Sequence, residues 1–162
     1  MKKNLLISAI LFGIAFNSSG QQLGTSIQDA EKQGITIQHL DGIYKNAVGD
    51  DPSRSVFKTE AEKNAMQDAY SKLIIDLSEF LSMHHFVWEN PVKCCSKIYF
   101  NSNGTIDYFL YDFPDLPEKK LPAGKDGEFN SLIKAFIKDY KFAIDIKEKF
   151  GQCSTATFGQ RP

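Results

Sequence analysis

The stretch that decides the fold is residues 97–111, KIYFNSNGTIDYFLY. Two runs rich in aromatic and β-branched residues flank NSNG at 101–104, and this combination predicts a β-hairpin. A two-residue turn sets Phe100 opposite Asp107, whereas a three-residue loop sets Phe100 opposite Ile106. The second register is favoured because it pairs apolar side chains across the two strands.

The favoured register divides the hairpin into two faces. One face is predicted to carry Ile98, Phe100, Ile106, Tyr108 and Leu110. The other carries Asp107 and three aromatic residues, Tyr99, Phe109 and Tyr111. If they are exposed, these three form an aromatic sheet face that would bind a partner. The alternative, left open, is that residues 21–57 fold over the aromatic residues and cover them.

A long helix is predicted before the hairpin and a shorter helix after it. Thr59 and Glu62 form an S/T-x-x-E capping box, and apolar residues then recur at helical spacing through 60–83. Asp126 is predicted to be the N-cap of the second helix, over 126–140. The apolar stripe of this second helix is Phe129, Leu132, Ile133, Phe136, Ile137 and Tyr140.

The element order predicts an α+β fold. Residues 153–158 favour a final strand. Helix, strand, strand, helix and strand then give a three-stranded antiparallel sheet with both helices packed on one face. This single domain is assigned to 58–162. Residues 21–57 are predicted to be a small N-terminal extension, in which Ile35 and Ile37 alternate with polar residues and favour a short strand.

The N-terminal segment has the pattern of a secretory signal peptide, assigned to 1–20. Lys2 and Lys3 precede an apolar run at 5–16, and small polar residues follow. The run is shorter than the ~20 residues that a membrane-spanning helix needs. The expected product is a mature chain beginning near Gln21, without a membrane span, in the periplasm or secreted.

The charge balance argues against two classes of partner. The whole chain has a net charge of −1 and contains no basic cluster, so neither nucleic acid nor an anionic membrane is an expected partner. No phosphate-binding glycine loop and no nucleophile-elbow motif occurs. We therefore expect no cofactor, and the sequence leaves the oligomeric state open.

Export permits disulfide bonds, and the chain has three cysteines, Cys94, Cys95 and Cys153. Adjacent cysteines rarely bridge each other, so Cys153 would pair with one of the other two. The C-x-x-C spacing of zinc sites is absent.

His84 and His85 are the strongest candidates for catalytic or metal chemistry. Adjacent helical side chains diverge, and helical zinc sites prefer i, i+4 spacing, so we expect core or capping roles and no metal site. The alternative is a small hydrolase or metal-dependent enzyme that uses His84, His85 and a cysteine.

The hairpin, the second helix and the final strand together resemble the C-terminal domain of TonB. The resembling pieces are the strand at 97–100, the Asn-x-x-Gly turn at 101–104, the strand at 105–111, the helix at 129–140 with Lys141 and Phe142, and the strand at 153–158. The uncleaved anchor, the Pro-rich spacer and the Tyr-Pro pair of that family are missing. The resemblance implies a fold and an edge-strand mode of binding, but it does not imply energy transduction.

The expected function is thus a non-enzymatic binding or scaffold module of the cell envelope with a protein partner. Binding would use a strand edge, including Thr155 and Thr157 of the last strand, or the aromatic sheet face. A TonB-like sheet is expected to run in the order first, second, third strand. The first and third strands would then lie ~9.5 Å apart, too far for a Cys153 disulfide within the sheet. The disulfide and this strand order could both hold only if Cys94 or Cys95 lies in the segment after Pro91 that leads into the first strand and bends across the end of the sheet.

Overall fold

The computed structural model describes residues 22–159; the predicted signal segment lies outside them. Five strands form one mixed sheet with helices on both faces. The elements in chain order are β1 (Leu23–Ser26), α1 (Ile27–Lys32), α2 (Ile37–Ile43), β2 (Lys45–Asn46), α3 (Glu60–Met83), β3 (Val92–Phe100), β4 (Ile106–Asp112), α4 (Ala123–Asp139) and β5 (Phe150–Phe158), with one 3-10 turn at Pro117–Lys119.

The strand order is β1-β4-β3-β5-β2, so the first hairpin strand, β3, is central. It runs antiparallel to β4 and to β5, while β1 and β2 add in parallel at the two edges. The α+β class is confirmed. The predicted three-stranded antiparallel sheet is incomplete, and the predicted strand order is wrong, because residues 22–57 supply both edge strands and β5 pairs with β3.

The hairpin contains a β-bulge that changes which side chains face the core. Phe100 lies opposite Ile106, as predicted, but the register shifts between Tyr99 and Phe100. Beyond that shift Ile98 lies opposite Phe109, not opposite Tyr108. A one-residue shift exchanges the two faces of a strand. As a result Phe109 and Tyr111 join the core, and Tyr108 and Leu110 turn to the other side of the sheet.

Helices α3 and α4 pack on one side of the sheet, called the core face here, as predicted. The capping box at Thr59 and Glu62 is present, and α3 has the predicted bounds. The predicted start of α4 at Asp126 is wrong. This helix begins three residues before Asp126, directly after Pro122, and no side chain caps it. Asp126 lies instead in the first turn, where the helix dipole favours a carboxylate.

Helices α1 and α2 cover the opposite side, called the outer face here. Their apolar residues form a second cluster with the sheet, made of Ala30, Leu40, Tyr44, Tyr99 and Leu110. The predicted strand around Ile37 is wrong, because Thr36 caps a helix there. Its Oγ1 accepts a hydrogen bond from the His39 N–H at 3.2 Å. None of the helices within 22–159 is long and apolar enough to cross a membrane.

Candidate functional site: the free edge of β5

Strand β5 has a long edge with no strand beside it. On that side β2 pairs only with Phe150 and Gly151. Across the part of the chain that the structure describes, no strand pairs with the remaining edge at 152–158. The other side of β5 pairs with β3 along its whole length. The backbone of β5 is therefore hydrogen-bonded to β3 on one side, and on the other side its residues 152–158 have no neighbouring strand among the described residues.

The outward-pointing backbone groups of this edge can be assigned. Ala47 N–H donates to the Gly151 carbonyl at 3.1 Å, so the backbone groups of Gly151 point away from β3. Because these directions alternate along a strand, Cys153, Thr155 and Thr157 point the same way. The Gln152 side-chain amide donates to the Cys153 carbonyl at 2.9 Å. The N–H groups of all three residues, and the carbonyls of both threonines, remain open to a new strand.

The sequence of β5 lacks the residues that usually block the pairing of an exposed strand edge with another chain. Residues 150–159 contain neither a charged residue nor a proline. Soluble proteins commonly guard an open strand edge with lysine, proline or a bulge, because it otherwise pairs with another chain. The regular register with β3 shows no bulge either. An unguarded edge of this length is a ready template for an added strand.

A groove runs beside the edge, between β5 and α3. Its volume is about 290 Å³, and its lining includes Tyr70, Ile74, Ile75, Ser154 and Ala156. Ile75 is 57% exposed although it is a large apolar side chain. The apolar stripe predicted for α3 runs through Met66, Ala69, Leu73 and Leu77 and does not include Ile74 or Ile75. In the sequence, these two apolar residues outside the stripe are the feature that could have indicated the groove.

The tyrosine at the base of the groove is fixed in place. Tyr70 is buried, and its hydroxyl lies 2.7 Å from Ser154 Oγ. Ser154 Oγ in turn lies 3.1 Å from Ser96 Oγ on β3. Burial raises the pKa of Tyr70, so the phenol stays neutral at physiological pH. The groove therefore presents an uncharged floor.

The structure separates the residues that were predicted to bind a partner. Thr155 and Thr157 lie exposed on the β5 edge. Tyr99, Phe109 and Tyr111 are at most 2% exposed, so the predicted aromatic sheet face is wrong. Helices α1 and α2 cover Tyr99, and the bulge turns Phe109 and Tyr111 towards α3 and α4. The alternative that residues 21–57 cover the aromatic residues holds for Tyr99 alone.

The three cysteines are free thiols. Cys95 pairs across the sheet with Thr155, and Cys153 with Lys97, so Cys95 and Cys153 are diagonal neighbours. Diagonal partners lie ~7–8 Å apart, beyond the ~4.4–6.8 Å Cα separation of a disulfide. Cys94 points to the core face, where burial raises its pKa. The register of β3 with β5, not the expected intervening strand, keeps the thiols apart.

Among the described residues, neither His84 nor His85 joins a catalytic arrangement. His84 and His85 are exposed at the end of α3, and the His84 ring packs 4.3 Å from the ring of Phe80. Neither forms a hydrogen bond to a cysteine within residues 22–159. Over the same residues, no group of three or more His, Cys, Asp or Glu side chains is placed to hold a metal ion.

Comparison with protein-family models, with curated proteins and with solved structures gave no match.

Proposed function

We infer that this protein is a non-enzymatic binding module that takes an extended segment of a protein partner as an added strand on β5. The observation that carries this proposal is the unpaired, uncharged edge at 152–158. Main-chain hydrogen bonds to Cys153, Thr155 and Thr157 would supply affinity that depends little on the partner's sequence. The edge-strand mode is also what the resemblance to the TonB C-terminal domain implies.

The groove would supply specificity. Side chains of a strand alternate between the two faces of a sheet, so every second partner side chain would enter the groove beside α3. Ile74 and Ile75 offer apolar contacts there. On the other face the partner would meet Thr155, Thr157 and the partly exposed Cys95. An apolar residue alternating with a small polar residue is the partner pattern that fits.

The proposed setting is the cell envelope or the extracellular space, because residues 1–20 have the pattern of a cleavable signal peptide. The partner would then be an envelope protein or a secreted protein. The hydrolase alternative is not favoured, because no described contact joins His84 or His85 to a nucleophile.

The test is a selection of short random peptides by display against residues 21–162. Selected peptides should bind the wild type and should slow hydrogen exchange at the amides of Cys153, Thr155 and Thr157. Thr155→Pro removes one outward N–H without touching the ladder to β3, and it should abolish binding. Ile75→Glu places a charge in the groove and should weaken binding at least tenfold.

Two matched variants act as controls. Thr155→Val keeps the backbone N–H and should retain binding, in contrast to Thr155→Pro. Met83→Glu changes another exposed apolar residue of α3, 70% accessible, and should have no effect. Circular dichroism checks that each variant is folded. Peptides that bind Thr155→Pro as tightly as the wild type, or that protect amides elsewhere, would show that the edge is not the binding site.

A further inference from the structure

A small apolar cavity lies at the end of the molecule where the segment before β3 meets the loop before α4. Its volume is about 180 Å³. Its lining includes Phe86, Trp88, Val92, Leu116, Leu121 and Lys125. It shares no lining residue with the groove beside β5.

The aromatic wall of the cavity is packed against further aromatic rings. The Trp88 ring stacks on Phe158 with centroids 5.3 Å apart and an interplanar angle of 13°, and it meets Phe86 and Phe129 at 4.8 and 5.7 Å. Gly159, with φ of +77°, lets the backbone pass close by, since a Cβ there would lie 2.6 Å from Trp88 Cβ. A ligand would therefore meet a preformed surface, which lowers the entropy lost on binding.

One cation borders this apolar space. Lys125 Nζ lies 4.6 Å from the centroid of the Phe86 ring. Its ion pair with Glu128, at 3.4 Å, is partly exposed and therefore weak. Glu89 also borders the cavity, but it is exposed to solvent. A ligand carboxylate could thus replace Glu128 at Lys125 with little loss of existing contacts.

We propose that this cavity binds a small aromatic carboxylate. The ring lies among Trp88, Phe86 and the aliphatic side chains, and the carboxylate accepts a hydrogen bond from Lys125 Nζ. An apolar cavity of ~150 Å³ is large enough for benzene, so a single ring fits the space available. A mostly apolar pocket with one placed polar group is the usual composition of a small-molecule site.

Trp88 is the one tryptophan of the chain, so its fluorescence reports occupancy directly. Titration with phenylacetate should give a saturable change, and the neutral phenylacetamide should bind more weakly. Lys125→Met should weaken phenylacetate binding ~10-fold, the loss expected for one charge-assisted hydrogen bond, and should leave phenylacetamide nearly unchanged. Glu128→Gln frees Lys125 and should tighten phenylacetate binding.

Lys134→Met changes an exposed lysine of the same helix and should leave the titration unaltered. Ile75→Glu, in the β5 groove, should also leave it unaltered, so this proposal can fail or stand independently of the peptide-binding function. No saturable change, equal affinity for the acid and the amide, or equal weakening of both by Lys125→Met would overturn the proposal.

Discussion

Two buried tyrosines differ in what their hydroxyl groups contact. The Tyr70 hydroxyl lies 2.7 Å from Ser154 Oγ. The Tyr111 hydroxyl is buried and forms no hydrogen bond within residues 22–159. The Asn130 side chain lies near Tyr111, and its amide donates to Thr25 Oγ1 at 3.3 Å. A buried hydroxyl without a partner costs stability, whereas a paired one contributes to it.

The corresponding phenylalanine variants should separate the two cases. Tyr70→Phe should lower the free energy of unfolding by about 1 kcal/mol, because it removes the hydrogen bond between the Tyr70 hydroxyl and Ser154. Tyr111→Phe should leave that free energy unchanged or raise it by up to about 1 kcal/mol. Denaturant unfolding of both variants measures the difference. A loss in Tyr111→Phe as large as in Tyr70→Phe would mean that the Tyr111 hydroxyl has a partner after all.

At the scale of elements, the edge strand β1 approaches α4 closely enough to require glycine. A Cβ added at Gly24 would lie 2.6 Å from Ile133 Cγ2 and 3.3 Å from the Lys134 backbone nitrogen. Ile133 is fully buried in the core. The packing of β1 against α4 therefore depends on the absence of one side chain. Among the strands of residues 22–159, β1 pairs with β4 alone.

Gly24→Ala should destabilise the protein by about 1–3 kcal/mol, the usual cost of overpacking a core. The matched control is Gly42→Ala in α2, where an added Cβ meets nothing within 4 Å. It should be neutral or stabilising by up to about 1 kcal/mol, because alanine favours a helix. The double variant Gly24→Ala/Ile133→Ala should cost less than the sum of the single variants in chemical unfolding. Additive costs would show that the two residues do not contact each other.

At the scale of the whole molecule, the tyrosines are distributed through both cores. The pKa values of Tyr44, Tyr70, Tyr99, Tyr111 and Tyr140 are all raised, with burial the largest cause in each, and that of Tyr140 reaches about 12. Buried tyrosine hydroxyls on both faces of the sheet are therefore harder to deprotonate than a tyrosine exposed to water.

This distribution predicts alkaline unfolding. An unfolded tyrosine ionises with a pKa of ~10, so well below that pH both the folded and the unfolded state hold the proton and ionisation does not lower the free energy of unfolding. As the pH rises from ~10 towards 12, the unfolded state loses protons first and stability falls. Phenolate absorbance should therefore rise together with the loss of the helical circular dichroism signal. Release of most phenol protons at pH ~10 from a protein with an intact helical signal would contradict the prediction.

Local signals in the sequence were sufficient for several elements. The Thr59–Glu62 capping box and the apolar stripe behind it predict α3 correctly, and the stripe around Phe136 predicts α4 apart from its first turn. The turn at 101–104 predicts the pairing of Phe100 with Ile106. In each case the deciding contacts lie within a few residues of one another, so the local sequence contains the information.

Only the tertiary structure decided the sheet order, the faces of the hairpin and the candidate site. Gly24 pairs with Phe109, and Asn46 with Gly151, across long separations that no local period encodes. The bulge between Tyr99 and Phe100 exchanges the faces, because a single extra residue reverses an alternation of period two. Within the described part of the chain, the edge of β5 is free beyond Gly151 because β2 pairs with two of its residues. Whether a strand edge is covered depends on where distant strands stop, and that is settled by packing of the whole chain.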